Sequence, residues 1–213
     1  MEPSRILKFA FVQTLTLVRV PLILLFLGLA VFSSQPPSPR TFWSAFCAMI
    51  LAALTDLFDG YFARRLRVTS RFGSYADPMV DKVYYLVTLP TLVFVAQRTG
   101  QPALARVLLL LTVIFLFRDQ WVSFLRSLGA VHGLSAKANW SGKARTLISF
   151  PTICVVYFYL QAPASVPLQF PLAVVYALVL ISTLINVISM VVYTRAFWPA
   201  LKAELKHPGG DTK

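Results

Sequence analysis

The chain has 213 residues, of which 57% are hydrophobic and 13% charged, and its mean hydropathy is +0.70. This composition excludes an ordinary soluble domain, because long uncharged runs of this kind are typical of proteins that span membranes. The formal net charge is +12. No folded basic domain stands outside the apolar runs, so we expect these charges to meet anionic lipid head groups, and we predict no nucleic-acid binding.

Six stretches are long and apolar enough to cross a membrane as helices, which takes roughly 20 residues each. They cover residues 10–32, 42–62, 77–97, 103–125, 142–162 and 169–195. Short polar or turn-forming segments separate them. The pattern predicts an all-α fold, in which a single polytopic membrane domain over residues 1–213 has six transmembrane helices around a polar cavity.

The first stretch contains Arg19 inside its apolar run. A cleaved signal peptide would have an uninterrupted apolar core, and its loss would leave an odd number of spans, so we interpret the stretch as a retained helix. Two explanations of Arg19 are open. Its side chain either extends along the helix to the membrane surface, or it contacts a lipid or acceptor phosphate.

Lys and Arg are distributed unequally between the two sets of loops and helix ends, and the richer set is expected in the cytoplasm. The richer set contains Arg5, Lys8, Arg64, Arg65, Arg67, Arg71, Arg126, Lys137, Lys143, Arg145, Arg195, Lys202 and Lys206, whereas the other contains Arg40, Arg98 and Arg106. We therefore predict that both termini and the polar cavity face the cytoplasm, and we expect the membrane to be a bacterial inner membrane.

The second and third stretches share an acidic frame over residues 56–81, with the pattern D-x-x-D-G-x-x-A-R-x8-G-x-x-x-D-x-x-x-D. It holds four of the chain's eight acidic residues, namely Asp56, Asp59, Asp77 and Asp81. The spacings i, i+3 and i, i+4 place each pair on one helix face. Carboxylates gathered in a membrane repel one another unless they hold cations, so the frame indicates a site for hard divalent ions, Mg²⁺ or Mn²⁺.

The small and basic residues of the frame fit a phosphate ligand. Gly60 and Gly73 lack side chains, so a ligand or a neighbouring helix can approach the backbone beside the acids. Arg64 lies one turn beyond Gly60 and can bind phosphate oxygens with its planar fork. Read singly, Asp77 could be only a helix N-cap and Arg64 only a membrane anchor, but such explanations do not account for four carboxylates in register.

At every fixed position the frame matches the signature of the CDP-alcohol phosphotransferase family, which the chain resembles. The resemblance implies a six-helix membrane enzyme, usually a homodimer, in which two divalent metal ions bind a CDP-linked substrate and an acceptor hydroxyl displaces CMP. It assigns the metals to Asp56, Asp59, Asp77 and Asp81, and the role of catalytic base to Asp81. It assigns nucleotide contacts to Asp56, Gly60, Arg64 and Gly73.

A second basic segment, residues 118–146, bears on the acceptor. It reads R-D-Q-W-V-S-F-L-R and, further on, A-K-A-N-W-S-G-K-A-R-T. This segment and the opening T-L-T-L-V-R are similar to those of phosphatidylglycerophosphate synthases, which implies CDP-diacylglycerol as donor and glycerol 3-phosphate as acceptor. The residues expected to bind the acceptor or lipid phosphate are Arg19, Arg118, Lys137, Lys143 and Arg145.

Other functions are open at this stage. The Arg118-Asp119 pair also resembles cardiolipin synthases, whose acceptor is phosphatidylglycerol, and inositol-phosphate transferases are a third group of relatives. The basic residues could also serve only as cytoplasmic anchors. A cation-coupled transporter is disfavoured. Transporters tend to place carboxylates near the membrane midplane in both halves of the chain, whereas in this chain the acidic cluster lies near one membrane face and only in the first half of the sequence.

Overall fold

The computed structural model describes residues 3–66, 71–133 and 140–206, although the side chains of residues 3–13, 16, 56, 57, 59–64, 66, 71–81 and 206 lie outside that description. These three segments are almost entirely α-helical and contain no strand, which confirms the all-α prediction. The helices are α1 (Pro3–Phe32), α2 (Pro39–Leu66), α3 (Arg71–Arg98), α4 (Pro102–Val131), α5 (Trp140–Gln161) and α6 (Leu172–Lys206).

Several helices run further than the apolar stretches predicted. α3 begins at Arg71 rather than at residue 77, and α4 and α6 continue to Val131 and Lys206. The difference arises because hydropathy marks only the apolar part of a helix, whereas the helical backbone continues through more polar residues beyond that part. Asp77 therefore lies inside α3, which excludes the interpretation of this residue as an N-cap.

Within the described segments, α4 and α6 are long and apolar enough to cross a membrane, with mean hydropathies of 1.7 and 2.4 over their most apolar windows. Residues Leu17–Phe32 of α1 form a shorter apolar helix. These lengths agree with a membrane-embedded bundle.

The helices pack side by side in a closed ring. α1 contacts α2 and α3, α4 contacts α3 and α6, and α5 completes the ring through contacts with α6 and α2. Further contacts cross the ring from α3 to α5 and to α2. Successive helices alternate in direction, so the end of α2, the start of α3, the end of α4, the start of α5 and the end of α6 lie together. We call this the polar end.

The half of the bundle away from the polar end, the apolar half, contains the main core. Its fully buried side chains include Ile23, Phe26, Phe42, Met49, Leu89, Leu92, Leu108 and Tyr157. The rings of Phe42 and Tyr157 are stacked, with centroids 5.8 Å apart and planes 1° from parallel, and Phe26 meets Tyr157 edge-on at 5.2 Å. Aromatic contacts therefore join α1, α2 and α5 at this level.

Short polar connections close the apolar half. Gly100 has a φ of +73°, a conformation that glycine adopts without strain, and this lets α3 turn directly into α4. Arg98, at the end of α3, donates hydrogen bonds to the carbonyl oxygens of Val31 and Ser33, the latter at 2.7 Å. The end of α1 is thereby tied to the end of α3.

Candidate active site

The acidic frame lies at the polar end, on two neighbouring helices. Asp56 and Asp59 belong to the last three turns of α2, and Asp77 and Asp81 to the first three turns of α3. α2 and α3 are in contact. The backbone thus brings the two acid-bearing segments to one end of the bundle, as the sequence predicts.

The side chains of the frame lie outside the described residues. This applies to Asp56, Asp59, Gly60, Arg64, Gly73, Asp77 and Asp81, and the whole of Lys137 falls outside as well. Among the side chains that the structure describes, no group of three or more His, Cys, Asp or Glu could hold a metal ion. The metal and nucleotide assignments therefore stay predictions.

A buried ion cluster is the best-defined feature of the polar end. Asp119 on α4 accepts hydrogen bonds from Arg145 on α5 at both carboxylate oxygens, Oδ1 from Nη1 at 2.6 Å and Oδ2 from Nη2 at 3.1 Å. Arg118 Nη1 donates to the same Oδ1 at 3.1 Å. Arg118 and Asp119 are only 5% and 8% exposed. One carboxylate therefore fixes the planes of two guanidinium groups, and the three side chains together carry one net positive charge.

α6 supplies polar partners for the arginines of α4. Ser189 Oγ accepts hydrogen bonds from Arg118 Nε at 3.1 Å and from Nη2 at 2.6 Å. Arg126 Nη2 donates to Tyr193 Oη at 2.9 Å, and the Cζ atoms of Arg118 and Arg126 lie 5.2 and 5.3 Å from the centre of the Tyr193 ring. These contacts hold both guanidinium groups against α6 by hydrogen bonds and cation–π attraction.

Arg145 rests on aromatic rings. Its Cζ atom lies 4.1 Å from the centre of the Phe115 ring and 5.3 Å from that of Tyr85. The rings attract the cation and exclude water, so its interactions with anions are stronger than they would be at an exposed surface. An anionic group reaching this level would meet a preoriented arginine.

The start of α5 adds donors to the cluster. Ser141, in the first turn, is fully buried, and its Oγ has no hydrogen-bond partner among the described residues; the same is true of Arg145 Nε. A Cβ at Gly142 would lie 3.3 Å from Tyr193 Oη and 4.0 Å from Arg118 Nη2, so the absence of a side chain lets α5 approach α6 closely here. The first turn of a helix also offers free backbone N–H groups and partial positive charge, a combination suited to a phosphate group.

The remaining predicted acceptor residues occupy different places. Lys143 lies in the first turn of α5 with an exposed side chain, near the ion cluster along the chain. Arg19 lies near the middle of α1 and is 2% exposed, so its side chain is buried in the bundle rather than extended along the membrane-facing surface. The described contacts bring together Arg118 and Arg145 of the predicted set.

Sequence reasoning did not anticipate how Asp119, Ser189 and Tyr193 organise this cluster. Asp119 had a usable signal, because it is an acidic residue inside a predicted span and such residues are retained for function. Ser189 and Tyr193 had none, since serine and tyrosine are common on apolar helices and only the packing of α6 against α4 reveals their partners.

The fold and the site define an α-helical membrane protein whose polar end combines the acid-bearing segments of α2 and α3 with a buried cluster of net positive charge. The family model for CDP-alcohol phosphatidyltransferase matches residues 10–193. The chain therefore belongs to the CDP-alcohol phosphatidyltransferase family. Members of this family are membrane-bound and generally depend on a divalent metal ion.

Individual relatives agree with this assignment. Over 194 residues the chain is 31% identical to a CDP-diacylglycerol--glycerol-3-phosphate 3-phosphatidyltransferase of Pseudomonas fluorescens, covering 89% of this chain and 91% of the relative. A protein of the same name from Cereibacter sphaeroides is 32% identical over 61% of this chain and 56% of its own length. One from Pectobacterium atrosepticum is 35% identical over 66% and 72%. The matched region thus spans about half of the Cereibacter protein and nearly all of the Pseudomonas one.

Proposed function

We propose that the chain transfers a phosphatidyl group from CDP-diacylglycerol to glycerol 3-phosphate, which releases CMP and forms phosphatidylglycerophosphate. The family assignment and the names of the relatives support the reaction class. The observation that carries an acceptor with its own phosphate is the buried cluster of Arg118, Asp119 and Arg145 beside the start of α5. Among such acceptors, the names of the relatives favour glycerol 3-phosphate. An acceptor with its own phosphate needs such a site, whereas an uncharged alcohol does not.

The donor half of the site is the acidic frame. Asp56, Asp59, Asp77 and Asp81 would hold two divalent cations, Mg²⁺ or Mn²⁺, and their chemistry fits, since carboxylate oxygens are the ligands that these ions prefer. Bound there, the cations would neutralise the pyrophosphate oxygens of the donor. Asp56, Gly60, Arg64 and Gly73 would contact the nucleotide, with the glycines leaving room for it and Arg64 binding its phosphates.

The acceptor half is the ion cluster with its neighbours. Arg118 and Arg145, held in fixed planes by Asp119, would attract the phosphate of glycerol 3-phosphate. Ser141 Oγ and Arg145 Nε, which have no partner among the described residues, would donate to it. Lys143 and Lys137 would add charge at the entrance from the cytoplasm, and Arg19 would contact a lipid or acceptor phosphate from α1. Because Asp119 neutralises one of the two arginine charges, Arg118 and Arg145 repel each other less before a phosphate binds. The cluster still carries a net positive charge that attracts the phosphate.

The reaction then requires a single displacement. The free primary hydroxyl oxygen of glycerol 3-phosphate forms a bond to the phosphorus that carries diacylglycerol, and the bond from that phosphorus to the bridging oxygen of CMP breaks. The hydroxyl proton passes to Asp81 as the new bond forms and the oxygen becomes acidic. Asp56, Asp59 and Asp77 orient the donor, while the ion cluster holds the acceptor phosphate away from the reacting phosphorus.

For the topology we propose a single domain, residues 1–213, whose six helices all cross the membrane around a polar cavity. The excess of Lys and Arg at the polar end supports cytoplasmic termini and a cytoplasmic active site. We further propose a homodimer in a bacterial inner membrane, surrounded by anionic lipids that match the basic polar end.

The test is a CMP-release assay on purified protein in mixed micelles that contain CDP-diacylglycerol. We expect release only with Mg²⁺ or Mn²⁺ and only with glycerol 3-phosphate, and we expect chelation by EDTA to stop it. Phosphatidylglycerol, inositol 1-phosphate and glycerol serve as alternative acceptors. Faster release with phosphatidylglycerol or inositol 1-phosphate would reassign the acceptor, and no release with any acceptor from folded protein would refute the enzyme assignment.

A further inference from the structure

Lys82 follows the last aspartate of the acidic frame in sequence, and its side chain crosses to another helix. Its Nζ donates a hydrogen bond of 2.8 Å to Ser123 Oγ on α4, 41 residues further along the chain. Both side chains are half-buried. A lysine ammonium retained inside a helix interface of a membrane protein is costly, so its position calls for a functional explanation.

The proton arrangement gives this contact a direction. Ser123 Oγ donates its one proton to the backbone carbonyl of Asp119, at 2.8 Å, and its lone pairs are thereby left to accept from Lys82. The carboxylate of the same Asp119 holds Arg145 and Arg118. A continuous series of polar contacts therefore runs from the residue next to Asp81, through α4, to the arginines of the ion cluster.

Helix geometry explains why Lys82 is suited to this contact. Consecutive residues of an α-helix are turned by about 100°, so residues 77 and 81 share a face of α3 while residue 82 lies on the next face. That next face meets α4, as the bond to Ser123 shows. The same turn of α3 can therefore present acids to the donor and attach itself to the helix that carries Asp119.

We propose that Lys82 is a positioning residue, which through Ser123 sets the distance between the acid-bearing turn of α3 and the ion cluster on α4. The inference rests on the proposed function, in which α3 holds the donor and the ion cluster holds the acceptor phosphate. Transfer requires the acceptor oxygen to reach the phosphorus in line, so a small displacement between the two helices slows turnover more than it weakens the binding of either substrate.

The test compares four variants in the CMP-release assay: Lys82→Met, Ser123→Ala, the double variant and Lys82→Arg. We expect Lys82→Met and Ser123→Ala each to lower kcat about tenfold or more while both KM values change less than about twofold. The double variant should be no worse than Lys82→Met, because the two side chains act through one bond. Lys82→Arg, which can still donate to Ser123, should recover most of the activity.

Thr112→Val on α4 is the matched control for Ser123→Ala. Thr112 Oγ1 donates to the carbonyl of Leu108, one turn earlier, at 2.7 Å, so this variant also removes a hydroxyl from the same helix but lies in the apolar half. We expect wild-type turnover from it. Melting temperatures of all variants in detergent distinguish a positioning effect, which lowers kcat in folded protein, from simple unfolding.

Four results would overturn the inference. Ser123→Ala with wild-type kcat would show that Lys82 does not act through Ser123, and multiplicative losses in the double variant would show that the two residues act independently. A rise in the donor KM alone would place Lys82 at the donor instead. Absence of CMP release from the wild type would refute the proposed function itself, and this role of Lys82 with it.

Discussion

The two halves of α4 show how differently the two halves of the bundle are held together. Towards its start, α4 buries Leu104, Leu108 and Phe115 against apolar neighbours, whereas beyond Phe115 it buries Arg118 and Asp119. In the first half the contacts depend on shape alone. In the second half, paired charges and hydrogen bonds with fixed directions are added to the packing of Val122 and Leu125 against Tyr193 and Phe197.

The difference indicates that the contacts of the apolar half serve stability, whereas those of the polar end serve function. Apolar helices surrounded by lipid gain little from the hydrophobic effect and associate mainly by close packing, which the aromatic stack around Tyr157 provides. A buried ion cluster is a weak means of stabilisation, because desolvating its charges offsets much of their attraction. Its retention at the polar end is therefore better explained by a phosphate ligand than by the fold.

The largest effect is expected from the acidic frame at the polar end. Asp81→Asn keeps the size of the side chain but removes the charge that would hold metal and accept the proton, so turnover should fall by more than about 1000-fold, or roughly 4 kcal/mol. The melting temperature should be unchanged. Glu204→Gln is the control, since Glu204 is an acid at the same end that pairs with His132 at 3.1 Å. More than a tenth of wild-type activity in Asp81→Asn would contradict the assignment.

The opposite pattern is expected in the apolar half. Phe42 is fully buried and stacks on Tyr157, so Phe42→Ala leaves a cavity and should lower the free energy of unfolding by about 3 kcal/mol. Denaturation in mixed micelles measures this loss, and both KM values of the folded fraction should be unchanged. Phe32→Ala, at a side chain that is 85% exposed, should be nearly neutral. A change in the acceptor KM of Phe42→Ala would contradict the conclusion that the apolar half serves stability and the polar end serves function.

A smaller loss is expected where Gly129 of α4 packs closely against Phe197 of α6. A Cβ at Gly129 would lie 2.2 and 2.5 Å from ring carbons of Phe197, so Gly129→Ala should displace the ring and cost about 1 to 3 kcal/mol of stability. At Gly28 no atom of the described residues lies within 4 Å of the added carbon, and Gly28→Ala should be neutral or slightly stabilising. Melting temperatures of the two variants decide the matter, and equal values would argue against the close contact.

Much of the fold could be predicted from the sequence, because apolar runs and charge bias report directly on helices in a membrane. Helix ends could not, since residues such as Arg71 belong to a helix although they lie outside its apolar stretch. The order of the helices around the ring could not be predicted from the sequence either. It depends on the fit of particular surfaces, such as Gly129 against Phe197, that leave no periodic signal.

The candidate site also has one part that the sequence predicts and one part that only the structure reveals. The frame at residues 56–81 could be recognised because its spacing along the chain carries the information. The contact of Asp119 with Arg145 joins residues 26 positions apart, and that of Arg118 with Ser189 joins residues 71 positions apart, so no local sequence pattern predicts them. Sequence reasoning singled out Arg118 and Arg145 as cations, and the structure adds that one carboxylate orients both.

The smallest expected effect, at the polar end, separates the contribution of the charge of Arg145 from that of the geometry of its hydrogen bonds. Arg145→Lys keeps the positive charge but loses the paired bonds to both oxygens of Asp119 and the Nε donor, so the acceptor phosphate should be held less well. We expect the KM for glycerol 3-phosphate to rise about tenfold, equivalent to roughly 1.4 kcal/mol, with the KM for CDP-diacylglycerol unchanged. Arg106→Lys is the matched control, because Arg106 is exposed and bonds only to a carbonyl of its own helix among the described contacts, Pro102 at 3.3 Å. Equal rises in both KM values would show that the cluster does not form a separate acceptor site, whereas an acceptor-specific rise would show that the direction of these bonds, beyond the charge itself, selects a phosphorylated alcohol.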